Sequence, residues 1–236
     1  VSPDVGKSWW KRALLDRYTV CDGGATRVLE NQRIAALLGL EAEPIVVPPS
    51  AGWGPLEVGR ALGFDPTVNR YAVVHPSPRW RYKQWTREGW RDLIRSLAEQ
   101  GLRVVITGGP GASERTYLDT VLAGVAESTY IRVDGQWSLA QTADVLRGAA
   151  LYVGPDTATS HLAAACGTPS VVLFGPTDPR QWGPLPAAGL DRPYEKVAPV
   201  QRRGNVLLLQ EDSLPCVPCQ QEGCERHRES YSACLD

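Results

Sequence analysis

The sequence holds no methionine among its 236 residues, so it is expected to be processed, to begin at another codon, or to be a fragment. It has no run of about 18 apolar residues, and hence no segment expected to span a membrane. No charged-then-apolar leader opens it. It lacks an excess of either charge: 25 basic and 26 acidic residues leave a net charge of −1, which excludes a global basic field for nucleic acid. It also lacks a chain-wide disulfide framework, because four of its six cysteines crowd positions 216–234. What remains is ordinary globular material, 43% hydrophobic and 22% charged, long enough for one large or two small domains with a real core.

The most informative stretch is Leu151–Pro184. Leu151, Tyr152 and Val153 read as a buried strand ended by Gly154 and Pro155. Asp156 or Thr157 can cap a short helix that carries Leu162, Ala163 and Ala165 and stops at Gly167, with Pro169 just beyond. Ser170–Phe174 reads as the next strand. This is a βαβ unit whose helix N-terminus faces the carboxyl edge of a sheet, where free N–H groups and about half a positive charge suit an anion. Thr157, Thr159, Ser160 and His161 add hydroxyls and an imidazole there, and Thr157 and His161 share a helix face. The spacing predicts that this helix end holds the phosphates of a nucleotide.

Upstream, residues 1–68 are poorly periodic. Trp9, Trp10, Leu14 and Leu15 suggest one short helix, and Ile34, Leu37, Leu38 and Leu40 the end of another. A Pro- and Gly-rich passage from Pro44 to Pro55 follows. From Tyr71 the rhythm becomes regular. Strands at Tyr71–His75, Leu102–Thr107 and Thr129–Val133 alternate with helices opened near Thr86, after Gly111 and at Ser138. Alternation of this kind predicts an α/β fold with a parallel sheet and ligands at its strand-to-helix edge. Beyond Pro184 only Val206–Leu209 reads as a strand. The expected division is therefore 1–68 (the tail of one domain, with a linker), 69–195 (a Rossmann-like nucleotide-binding domain) and 196–236 (an extension with the cysteine cluster).

Other candidates compete with plainer readings. Lys83, in the loop after the first regular strand, suits a diphosphate as a point charge, whereas Arg79 and Arg81 read as a solvated basic loop. Gly108-Gly109-Pro110-Gly111 lacks the spacing of a phosphate loop and reads as a tight turn. Glu114 suits ribose hydroxyls or simply a helix N-terminus. Asp156 serves as cap or as orienter of the site. Cys216, Cys219, Cys224 and Cys234 have spacing that permits a structural zinc site, with disulfides or reduced thiols as alternatives. Asp4, Asp16 and Asp22 fall in no motif, and no catalytic base is assigned.

The segment GPDTATSHLAAACGTPSVVLFGPTDPRQWGP, with VVHPSPRWRYKQW, VVITGGPGASER and the spaced cysteines, resembles glycosyltransferase family 9, which includes the lipopolysaccharide heptosyltransferases. The resemblance covers roughly residues 70–236. It implies the C-terminal half of a GT-B fold, a nucleotide-diphosphate-sugar donor such as ADP-heptose, and inverting transfer to a lipopolysaccharide or other surface glycan acceptor with no required cofactor. It implies contacts from Asp156, Thr157, Ala158 and His161 to the diphosphate or its sugar, from Lys83 and Ser77 to phosphate, from Glu114 to ribose, and from Trp137 to the nucleobase. Ala158 stands where the family usually has glycine. The implied setting is cytoplasmic, with peripheral association at the inner face of the membrane. The resemblance implies that residues 1–68 are the remnant of an N-terminal acceptor domain with a linker, and with most of that domain absent this chain is expected to bind its donor without turnover. Two other readings stay open: a GT-B-like nucleotide-sugar epimerase or hydrolase, and a non-catalytic module that binds a nucleotide or zinc.

Overall fold

The computed structural model describes residues 2–4, 9–20 and 23–236. Two short parallel strands, β1 (Ser2–Asp4) and β2 (Tyr18–Val20), flank a 3-10 turn over Trp9–Leu14. Asp22 lies outside the described residues. Helix α1 (Arg27–Leu37) follows, capped by the Thr26 hydroxyl, which accepts from the Leu29 N–H. Helix α2 (Pro55–Leu62) starts with proline at its first position and ends at Gly63 in the left-handed region. The turn-rich composition assigned this segment to a linker. Instead, Val58 and Leu62 are buried against the sheet beside Tyr71, Val73 and Val145.

The main body alternates strand and helix: β3 (Tyr71–Val74), α3 (Arg87–Glu99), β4 (Arg103–Ile106), α4 (Ala112–Leu122), β5 (Tyr130–Arg132), α5 (Leu139–Gly148), β6 (Leu151–Pro155), α6 (Ala158–Ala165), β7 (Ser170–Phe174), α7 (Pro179–Trp182), β8 (Val200–Arg203) and β9 (Val206–Gln210). The seven-stranded sheet runs β5-β4-β3-β6-β7-β9-β8. All its pairs are parallel except β8 with β9. A Rossmann-like parallel sheet is thus observed.

Period-2 alternation divides each central strand between two helical layers. Ala72 and Val74 pack with Trp90, Ile94 and Leu97 of α3 and Leu118 and Val121 of α4. Tyr71 and Val73 pack on the other face with Val145 and Leu146 of α5 and Ala163 of α6. In α3 the buried residues recur at positions i, i+4 and i+7, and the Thr86 hydroxyl caps the first turn by accepting from Gly89 N–H at 3.2 Å. Each large apolar side chain so buried contributes about 1.5–3 kcal/mol.

The chain builds outward from β3 to β5 and then returns to place β6 on β3's other side. The order reverses between β3 and β6, and their carboxyl ends form the crevice where such sheets bind ligands.

Candidate functional site

His75 follows β3 and Asp156 follows β6, so both stand at the switch point. The sheet fixes their backbones: His75 N–H donates to Val153 O at 2.9 Å, and Asp156 N–H donates to Leu173 O at 3.1 Å. Gly154 and Pro155 do not end β6 but belong to it. Glycine is needed at 154 because a Cβ there would collide with the Tyr152 hydroxyl. That hydroxyl lies 2.9 Å from Ser160 Oγ, which donates to Pro155 O at 2.5 Å. The start of α6 is thereby tied to the strand before it.

Thr157 is the N-cap residue of α6, but no side chain caps the helix. The expected cap is therefore not made. Asp156 turns instead to Lys83: Nζ lies 2.6 Å from Asp156 Oδ2 and 3.3 Å from the Asp156 carbonyl. The carboxylate is 7% exposed and the lysine side chain 20%. His161 Nε2 stands 4.0 Å from the other carboxylate oxygen, and its side chain is 40% exposed. Desolvation lowers the His161 pKa below the ordinary histidine value; Asp156 pulls it upward and Lys83 downward. The ring is therefore partly open to solvent and mostly neutral at neutral pH.

The α6 N-terminus, through Thr157, Ala158 and Thr159, also borders a cleft with a cavity volume of about 330 Å³. Ser77, Glu114, Trp137, Thr157 and Ala158, all expected from sequence, line it together. The Ser77 hydroxyl donates to Glu114 O at 3.4 Å, which joins the β3 loop to α4. Trp137 meets Trp53 edge-on with centroids 6.2 Å apart. Ala158 is the first residue of α6, in ordinary helical geometry that its methyl group tolerates. Lys83 lines a separate, adjacent cavity. The expected site residues thus divide into this cleft and a Lys83–Asp156–His161 cluster beside it.

Sequence reasoning missed part of the cleft. Arg79, read as solvated, lines it, with its guanidinium 4.7 Å from the Trp80 ring. Gly108 and Gly109 also line it rather than forming a mere turn; a Cβ on Gly108 would meet Leu118 Cδ1 at 2.6 Å, and one on Gly109 would meet the Glu114 carboxylate. His75 and Thr107 were read as strand ends. In the structure His75 Nδ1 lies 3.0 Å from Thr107 Oγ1, and Nε2 lies 3.5 Å from Thr159 Oγ1. Burial pushes the His75 pKa down to about 4, so this imidazole is neutral where it lines the cleft with Thr107 and Thr159.

The four tail cysteines require a correction. Among the described residues no group of three or more His, Cys, Asp or Glu is arranged to hold a metal ion, so the zinc expectation is not supported. All four thiols are free. Burial, with the neighbouring Cys219, Cys224 and Cys216, pushes the Cys234 thiol up to about 12. Hydrogen bonds hold the tail instead: Ser230 Oγ accepts from Glu225 N–H, Cys224 N–H donates to Tyr231 O, and the Ser232 hydroxyl donates to Tyr82 O at 2.7 Å.

Comparison with known proteins places this geometry. The family model for glycosyltransferase family 9 (heptosyltransferase) matches residues 56–224, well over half of the chain. The chain belongs to glycosyltransferase family 9. Among its family 9 relatives, lipopolysaccharide heptosyltransferase 1 of Escherichia coli K12 is 41% identical over 113 residues, covering 48% of this chain and 34% of the relative. The Pseudomonas aeruginosa enzyme of the same name is 30% identical over 178 residues, covering 75% of this chain and 44% of the relative. The chain spans a third to a half of the length of these curated relatives. The solved structure of E. coli ADP-heptose lps heptosyltransferase II superposes with a TM-score of 0.65 at 18% identity, covering 95% of this chain and 62% of that one. E. coli heptosyltransferase WaaC with ADP gives 0.56 at 24% identity, covering 84% and 54%. These likenesses show the fold, that of a GT-B glycosyltransferase. Among the described residues no helix is long and apolar enough to cross a membrane.

Proposed function

We propose that this chain is the donor-binding half of an inverting glycosyltransferase that takes a nucleoside-diphosphate sugar of the ADP-heptose kind and serves transfer to a lipopolysaccharide or related glycan acceptor at the cytoplasmic face of a membrane. The observation that carries the reading is the convergence of the family's donor motifs. Thr157 and Ala158 at the start of α6, Ser77 after β3, Glu114 in α4 and Trp137 before α5 line one cleft at the switch point. The Lys83–Asp156–His161 cluster adjoins it.

In this reading the nucleobase lies against Trp137, the ribose hydroxyls donate to Glu114, and the diphosphate meets the N–H groups of α6 with Ser77 and Thr157. Inverting transfer leaves a diphosphate carrying new charge. Lys83, the helix dipole, the hydroxyls and a protonated His161 stabilise that charge where it develops, in a partly dehydrated site. The proton of the acceptor hydroxyl needs a base that this constellation does not supply. The relation to WaaC, whose solved structure is with ADP, favours adenine over other bases.

The test is thermal. A nucleotide at about 100 times its dissociation constant adds roughly 2.7 kcal/mol of stability. For a chain of this size that raises the melting temperature by about 5–10 °C. ADP should do so more than GDP or UDP, and His161→Ala should remove most of the protection. Unchanged melting with all three nucleotides would overturn the reading.

A further inference from the structure

His75 lines the cleft at the switch point yet is only 7% exposed, and it takes no part in the donor contacts described so far. Its ring bridges two elements. Nδ1 lies 3.0 Å from Thr107 Oγ1, just beyond β4, and Nε2 lies 3.5 Å from Thr159 Oγ1, in the first turn of α6. Both threonines line the same cleft.

The distances select a tautomer. The Thr107 hydroxyl has one proton and two acceptors within reach, Nδ1 at 3.0 Å and Val74 O at 3.5 Å. The shorter bond takes the proton, so Nδ1 accepts. A neutral imidazole then carries its own proton on Nε2. That N–H is directed at Thr159 Oγ1, which becomes the acceptor and keeps its hydroxyl proton for another partner.

The position of Thr159 decides what that partner is. The first bonds of α6 run from Ser160 N–H and His161 N–H to Thr157 O, so the Ala158 and Thr159 N–H groups have no partner within the helix. A hydroxyl proton next to two such groups, at the positive end of a helix, faces an anion rather than a cation.

We propose that Thr159 is a further phosphate-binding residue and that His75 is the positioning residue behind it, its Nε2–H orienting the Thr159 hydroxyl so that the hydroxyl proton meets a phosphate oxygen. This assignment rests on the donor reading above, because a nucleotide diphosphate is the anion. His161 must be protonated to assist the diphosphate, whereas His75 acts as the neutral ring. It adds direction to the anion site without adding charge.

The experiment uses the full chain, with ADP as the probe and calorimetric affinities. Thr159→Val keeps the shape and removes the hydroxyl, and should weaken ADP about fivefold to tenfold; Thr159→Ser keeps the hydroxyl and should stay within about twofold. His75→Leu should lose about as much as Thr159→Val, whereas His75→Gln, which retains an amide N–H, should recover most of the affinity. The double variant should bind about as well as either His75→Leu or Thr159→Val alone, because both remove the same bond. Additive losses would overturn the inference. A second readout needs no variant and so cannot be spoiled by misfolding. In the 15N spectrum of the unaltered chain at pH 7.5, His75 should be neutral with its proton on Nε2, and should stay so when ADP binds. The Nδ1–H tautomer, or protonation on binding, overturns the inference. So does ADP binding that Thr159→Val leaves unchanged, and in that case the donor reading stands. If the unaltered chain fails to bind ADP at all, the donor reading falls, and this inference falls with it.

Discussion

Asp156 stands between Lys83, 2.6 Å away, and His161, 4.0 Å away, and the two basic residues make separate predictions. Lys83→Met leaves the Asp156 carboxylate, 7% exposed, without its cation. Breaking a buried pair costs about 3–5 kcal/mol, and the partial exposure of Lys83 places the expected loss near 3, measurable by urea unfolding. His161 behaves differently. Its pKa is lowered in the empty site, and a bound diphosphate raises it. Binding then takes up a proton, so ADP affinity should rise as pH falls from the raised value toward the lowered one. Calorimetry at pH 8 and pH 6 should show several-fold tighter binding at the lower pH. His161→Ala should flatten that dependence; an equal slope in the variant would separate His161 from the phosphate. These residues were legible because their spacing, Thr157 to His161 across one helical turn, is itself the signal. His75 was not, since an imidazole at the end of a valine strand looks the same whether it lines a core or a cleft.

Among the elements, the segment before α2 is held by one side chain. Asp144 of α5 accepts from Ser50 Oγ at 2.7 Å, from Ala51 N–H at 2.8 Å and from Trp53 N–H at 3.0 Å, and it pairs with Arg147. Trp53, positioned in this way, supports Trp137 at the cleft. Asp144→Ala should cost about 1–3 kcal/mol by removing the shared acceptor of three hydrogen bonds and the partner of Arg147. It should also weaken ADP binding and open residues 44–54 to limited proteolysis; unchanged cleavage there would refute the clamp. Helix α2 was hidden in the sequence by the prolines and glycines around it, although Pro55 at its first position and Val58 four residues before Leu62 are helical signals. Strand β8 was hidden for another reason. Its buried residues are Gln201 and Arg203, while Val200 is exposed, so the polarity pattern is inverted. Arg203 is satisfied inside by the carbonyls of Arg192, Pro193 and Arg202 and by the Tyr194 ring 5.4 Å away. By contrast β7 and the Ser138 cap of α5 agree with the sequence reading, because apolar runs and capping boxes act locally.

At the scale of the whole molecule, acid stability should follow the buried His75. Its folded pKa is about 4 against an ordinary 6.5, so the unfolded chain binds more protons between those values. Stability should be full above about pH 6.5 and should decline as pH falls toward 4, by roughly 3 kcal/mol. His75→Gln should shrink that decline, as read from melting temperatures across the range. The overall architecture was legible because alternating elements and glycine stops recur from Tyr71 onward. The division of the cleft from its neighbour was not, because it depends on how a tail more than 60 residues downstream of Asp156 folds back onto Tyr82.

The ion pair at the crevice carries one more consequence. A lysine already neutralised by its own carboxylate offers no standing attraction to stray anions, so orthophosphate alone meets an occupied cation. Under the donor reading proposed above, only a molecule that grips helix, hydroxyls and Trp137 together can prise the two apart, which would make the entrance selective before any sugar is inspected.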